Sequence, residues 1–117
     1  MSFAGEVLKY LIWGCPNLKK IACIFFNFRI VNCVCFIKQL FEVNPCQELE
    51  VFCFERCLLS EATFYFLISN LPKIKYIGNL EEWGMDKEAI LRVREFIRIK
   101  NIDVDVESLH HSSYIAV

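Results

Sequence analysis

Residues 64–79 read FYFLISNLPKIKYIGN, and residues 8–23 read LKYLIWGCPNLKKIAC. Set against each other at an offset of 56, Leu8, Leu11, Ile12, Cys15, Pro16, Leu18 and Ile21 fall on Phe64, Leu67, Ile68, Leu71, Pro72, Ile74 and Ile77. Self-similarity at a fixed period is the mark of a repeat architecture, and half of 56 gives a repeat of 28 residues. A middle copy accordingly begins at Ile37, with Leu40, Phe41, Asn44 and Pro45 in step. It resumes after two extra residues at Leu49, Phe52, Phe54 and Cys57. The strand-start residues Leu18, Leu49 and Ile74 are then 31 and 25 apart.

Each copy carries two periodicities. Its first part is apolar at i, i+3 and i+4, which is one face of a helix. Proline ends that helix, because the residue before a proline is kept out of the α region. The second part alternates, which predicts a short strand with every other side chain pointing inward. One helix and one strand cannot enclose a core alone, whereas stacked neighbours can. The expected fold is therefore α/β: about three strand–helix units of a repeat solenoid over residues 1–84.

These residues resemble the leucine-rich-repeat family, in its cysteine-containing subtype. The resemblance is carried by Leu49-Glu50-Val51-Phe52-Cys53-Phe54-Glu55-Arg56-Cys57, then Ser60-Glu61-Ala62-Thr63, then Asn70-Leu71-Pro72-Lys73-Ile74. Cys15-Pro16-Asn17-Leu18 is the same junction one round earlier. It covers roughly residues 6–82. The stretch 24–36 departs from the pattern, being rich in Phe, with Phe26 standing where Cys57 stands in the next copy. The resemblance implies right-handed coiling, parallel strands and a concave face that binds a protein partner. Similar repeats occur in substrate-recruiting subunits of ubiquitin ligases, so an adaptor role is the narrower implication. Those subunits carry an F-box ahead of the repeats. Here the first residues enter directly into a repeat helix, so a ligase role implies an upstream region.

After Trp83-Gly84 the pattern changes. Asp86 is a helix cap with Glu88 in the first turn. A helix over Lys87–Lys100 places Ile90, Val93 and Ile97 on one face with Leu91 and Phe96 beside them. Arg92, Arg94, Arg98 and Lys100 are left on a solvated face. Residues 102–107 alternate strictly, predicting a strand with a wet acidic face. Residues 85–108 are thus expected to cap the C-terminal end of the repeats, with 109–117 a flexible tail.

Composition narrows the function. Hydrophobic residues make up 56% of the chain, 11 of them Phe, above the usual roughly 45–50%, so disorder is excluded. Lys9, Lys19, Lys20, Arg29 and Lys38 outweigh Glu6 and Glu42 in residues 1–46, and the remainder is acidic. That small basic excess is no nucleic-acid footprint. The seven cysteines, Cys15, Cys23, Cys33, Cys35, Cys46, Cys53 and Cys57, are odd in number and contain no Cys-x-x-Cys. The N-terminus lacks the charged-then-apolar order of a signal peptide. Both observations predict a reducing compartment, cytoplasmic or nuclear, with cysteine used as a small buried apolar residue.

The spacing of Cys33-x-Cys35 is too short for a zinc pair. In a strand the two would share a buried face. His110-His111 falls in the expected tail, no Gly-x-Ser-x-Gly occurs, and Gly5, Gly14, Gly78 and Gly84 are too scattered for a phosphate loop. No catalytic, cofactor-binding or metal-binding residue is assigned, and the chain is expected to be no enzyme and to take no small-molecule substrate. The expected site is the concave strand face, at the positions between the inward apolar residues. These are Lys20, Ala22, Val51, Cys53, Glu55, Tyr76 and Gly78, all expected to be exposed.

Three alternatives stand beside this reading. The first is a membrane-anchored protein with a span near 21–41, although Arg29 sits near the middle of that run. The second is a truncated, non-functional relative whose first unit would expose Leu8, Leu11 and Ile12. The third is a thiol enzyme, which requires an exposed cysteine of low pKa.

Overall fold

The computed structural model describes residues 3–24, 33–106 and 115–116, with side chains described over 8–24 and 35–106. In chain order the elements are α1 (Phe3–Trp13), β1 (Lys20–Ile24), α2 (Cys33–Val43), β2 (Val51–Glu55), α3 (Glu61–Asn70) and β3 (Tyr76–Gly78). A 3₁₀ turn (Leu80–Trp83), α4 (Lys87–Lys100) and β4 (Ile115–Ala116) follow. The sheet order is β3-β2-β1-β4, and all pairings are parallel.

The register follows from the sequence repeat. Lys20 pairs with Val51, and Val51 with Tyr76, so the offsets between strands are 31 and 25. These are the spacings between Leu18, Leu49 and Ile74. A short helix-and-turn return before each strand brings equivalent residues side by side. Backbone bonds continue the pairing ahead of the strands: Glu50 N–H donates to Lys19 O at 2.7 Å, and Lys75 N–H to Glu50 O at 2.8 Å.

The helices gather on one face of the sheet. Leu8, Ile12, Ile37, Leu40, Phe64 and Leu67 from α1–α3 share one core with Ile21, Cys23, Phe52, Phe54 and Ile77 from the strands. Phe52 and Phe54 stack with ring centroids 4.2 Å apart. Leu8 and Ile12 are fully buried in this core. The exposure expected of a truncated relative therefore does not hold for these two, and Leu11 is half-buried, because α1 packs on α2 and into this shared core.

Helix ends are satisfied locally. Thr63 N–H donates to Ser60 Oγ at 3.3 Å to start α3, as a serine N-cap does. Leu71 N–H closes the helix on Leu67 O at 3.0 Å, just before Pro72. The end of α1 is closed from the next unit. The buried Asn44 donates through Nδ2 to Ile12 O at 2.6 Å and Cys15 O at 2.9 Å, and its Oδ1 accepts from Cys46 N–H at 3.2 Å.

The C-terminal helix forms as expected. Asp86 Oδ1 accepts from Ala89 N–H at 2.8 Å, and Asn101 ends α4 in the left-handed region at φ 53°. Ile90 and Val93 are buried against the core, with Phe96 and Ile97 packed beside them. The strand expected over 102–107 reduces to one parallel bridge, Asp105 with Tyr76, and Glu107 lies outside the described residues. The physical reason is the shortness of β3, which gives way to the 3₁₀ turn at Leu80. The alternation itself is present, with Ile102, Val104 and Val106 half-buried between exposed polar residues. Ile115–Ala116, expected to be flexible tail, pairs with β1 on the opposite edge of the sheet.

Two further expectations change. Cys33-Val34-Cys35 begins α2, so strand geometry does not apply, and Cys35 is exposed. Among the described residues no helix is long and apolar enough to cross a membrane. Residues 21–24 of the candidate span are in β1 and residues 33–41 are in α2, while 25–32 lie outside the described residues.

Candidate functional site

The seven residues assigned from the sequence fall into rows on the sheet face turned away from the helices. Lys20, Val51 and Tyr76 form one row, and Ala22, Cys53 and Gly78 the next. Glu55 pairs with Ile24 at the far end. Alternation within each strand puts all of them opposite the main core.

Their exposure differs from expectation. Lys20 is exposed, and Val51 and Glu55 are half-buried. Ala22 and Tyr76 are only 4% exposed, Cys53 is 0% exposed, and Gly78 is buried. Ala22, Cys53 and Tyr76 form a second, smaller apolar cluster with Val51 packed against it. The cause is the pairing of a large residue with small ones. A Cβ built on Gly78 would overlap the Tyr76 hydroxyl and lie 2.8 Å from Cζ, so the Tyr76 ring folds over Gly78. The ring is pinned there, since Tyr76 OH donates to Asn79 Oδ1. Asn79 Nδ2 in turn donates to Glu55 Oε1 at 2.6 Å. Asn79 escaped the sequence reading. Its only signal was that it occupies the position of Cys23 at the repeat offset of 56.

A row of alternating charge borders this face where the strands begin. Lys75 Nζ lies 2.7 Å from Glu50, and Lys73 Nζ lies 2.6 Å from Glu48. The hydrogen bond from Lys75, with Lys75, Lys19 and Lys73 charges around it, holds the Glu50 carboxyl below its ordinary range. Glu50 correspondingly raises Lys75, with Asp103 adding to the effect. Lys19, Glu50, Lys75 and Asp103 thus line one cleft of 490 Å³ with charges that neutralise one another. A second cleft, of 240 Å³, lies between α2 and α3 and is lined by Lys38, Phe41, Glu42, Phe66 and Asn70 among others.

The arginine face of α4 is partly committed. Arg92 reaches Glu61 on α3 with Nε at 3.2 Å and Nη2 at 2.9 Å, and Tyr65 OH donates to the same carboxylate at 2.8 Å. These bonds, Arg92's first, lower the Glu61 pKa. The fork is the bidentate geometry that guanidinium makes with carboxylate. Sequence alone could not place Glu61 opposite Arg92.

Among the described residues the thiols fall into two groups. Cys23, Cys46, Cys53 and Cys57 are buried, whereas Cys15 and Cys35 are exposed. Burial, and then the neighbouring Cys53, pushes the Cys23 thiol up to about 12. That is opposite to the activation a thiol nucleophile needs. Among the described residues no three His, Cys, Asp or Glu side chains gather as a metal site. His110-His111 lies outside the described residues. Comparison with known protein families, with characterised proteins and with solved structures finds no match for the chain.

Proposed function

We propose that the chain is a non-catalytic protein-recognition module, a short right-handed solenoid of the cysteine-containing leucine-rich-repeat type. One observation carries this reading. The strand offsets of 31 and 25 reproduce the repeat spacing, so equivalent repeat positions stack into rows on the helix-free side of the sheet. Stacked units of this kind bind through their strand face. The surface there combines Lys20, the edge of Val51, Glu55 and the charged row at Lys19, Glu50 and Lys75. Mixed apolar and charged chemistry of both signs suits a protein surface better than a phosphate backbone. An adaptor role in substrate recruitment for a ubiquitin ligase is the narrower proposal, resting on the resemblance of the repeats. A reducing compartment goes with it, on cysteine usage.

The test is site-specific photo-crosslinking in cells of origin. A photoreactive residue replaces Lys20, Val51 or Glu55 on the sheet face, or the exposed Gln39 or Ser69 on the helices. The expected result is one protein adduct from the sheet-face positions and none from the helix positions. Adducts confined to Gln39 and Ser69, or to nucleic acid, would overturn the reading.

A further inference from the structure

The parallel register extends one residue ahead of the strands, where Glu50 N–H meets Lys19 O and Lys75 N–H meets Glu50 O. Lys20 faces Val51 and Ile24 faces Glu55, an offset of 31, and the same offset separates Cys15 from Cys46 in the sequence. The corners at Cys15 and Cys46, between helix and strand, have the same closing bond. Leu18 N–H donates to Cys15 O at 3.2 Å, and Leu49 N–H donates to Cys46 O at 3.0 Å. The third unit repeats it, with Ile74 N–H on Leu71 O at 3.4 Å. One side chain clamps the first two corners together: Asn44 donates to Cys15 O at 2.9 Å while accepting from Cys46 N–H at 3.2 Å.

Neighbouring strands lie about 4.8 Å apart. Disulfide-linked residues have Cα atoms roughly 4.4–6.8 Å apart. The single Asn44 amide bonded to both backbones holds Cys15 and Cys46 side by side, and strand spacing continued to this junction would put their Cα atoms in bridging range. The thiols also sense each other: burial first, and Cys15 second, push the Cys46 thiol up to about 11. Cys15 is exposed and Cys46 is buried, so an oxidant in solution meets Cys15 first. The adjacent-strand thiols Cys23 and Cys53 are not equivalent to this pair. Cys23 pairs with Phe54 and Cys53 with Ala22, which puts the two on opposite faces of the sheet.

We infer that Cys15 and Cys46 form a reversible disulfide site, closed by hydrogen peroxide and opened by a small thiol. The Cys15 sulfur attacks the peroxide, an S–O bond forms, the O–O bond breaks, and Cys15 becomes a sulfenic acid as water leaves. The Cys46 sulfur then attacks the Cys15 sulfur. The S–S bond forms, the S–O bond breaks, and hydroxide departs with the Cys46 proton as a second water. The two thiols have then given two electrons to the peroxide. Thiol–disulfide exchange restores both. The bridge closes a loop containing β1 and α2, fastening the first unit to the second.

The experiment treats the full native chain with hydrogen peroxide, alkylates the remaining thiols and digests after Lys, Arg and Glu. Cys15 is then carried by peptide 10–19 and Cys46 by peptide 43–48, each without another cysteine. The expected product is these two peptides joined, in the wild type and in Cys35→Ser, released by dithiothreitol and absent from Cys15→Ser. Oxidation is also expected to raise the thermal midpoint of the wild type and leave that of Cys15→Ser where it was. Three outcomes would overturn the inference: Cys15 advancing to sulfinic acid while Cys46 stays alkylatable after unfolding, Cys15 bridged to another chain, or Cys15 unoxidised by peroxide.

Discussion

Asn44 is the side chain on which the junction of the first two units turns, and replacing it with alanine tests the whole stacking scheme. Its amide makes three bonds, to Ile12 O at 2.6 Å, Cys15 O at 2.9 Å and Cys46 N–H at 3.2 Å. A protein hydrogen bond contributes about 0.5–1.5 kcal/mol net, and a buried group left unpaired costs about 1–3 kcal/mol. Asn44 is itself buried, so water does not readily replace it. Asn44→Ala is expected to cost about 2–4 kcal/mol, a large share of the roughly 5–15 kcal/mol typical of a domain. At about 4 °C per kcal/mol the thermal midpoint would fall by about 8–16 °C. Urea unfolding followed by circular dichroism and by the buried Trp83 measures this, with the exposed Gln47→Ala as a near-neutral control. Asn44→Asp is the sharper variant. It keeps the acceptor for Cys46 N–H but turns a carboxylate toward two carbonyl oxygens, so at neutral pH it should cost at least as much as alanine. Both variants within about 0.5 kcal/mol of wild type, the range of plain surface changes, would refute the reasoning.

Trp83→Phe removes the indole N–H that donates to Phe54 O at 3.0 Å and Gly78 O at 3.2 Å. With the lost ring volume, chemical denaturation should report a cost of about 2–4 kcal/mol. Gly78→Ala pushes a methyl into the Tyr76 ring, so it should destabilise the wild type more than it does a Tyr76→Ala background. Equal costs in a double-mutant cycle would show that the two positions do not touch. The buried thiols give a pH dependence. An unfolded thiol ionises near 9, while Cys23 and Cys46 hold their protons to about 12 and about 11. The folded state therefore binds more protons in that window. The stability they contribute is full below pH 9 and is lost as pH rises toward the folded values, by up to about 1.4 kcal/mol per unit for each thiol. Cys46→Ala should flatten the slope between pH 9 and about 11, and an unchanged slope would contradict the burial argument.

Much of the backbone plan was legible because it is a local matter. Apolar spacing, Pro16, Pro45 and Pro72 marked the helices and their ends, and Asp86 marked the start of α4, because caps and proline act within a turn of chain. Even the register was legible, since 31 and 25 are distances along the sequence that parallel stacking converts into strand offsets. The 3₁₀ turn at Leu80–Trp83 was not, because four residues are too few to show a period.

Side-chain partnership was a different matter. The sequence by itself determined that Lys20, Ala22, Val51, Cys53, Glu55, Tyr76 and Gly78 share the sheet face away from the helices, since a period of two fixes sides. Only the tertiary structure decided which of them meet solvent. That depends on Tyr76 lying over Gly78 and on the chain Tyr76–Asn79–Glu55. It likewise decided that Asn44 of one unit closes the helix of another and that Arg92 finds Glu61. The physical reason is range. Torsional preference and periodicity act over a few neighbouring residues, whereas burial and hydrogen bonding are settled by residues some 30 positions apart that stacking makes adjacent.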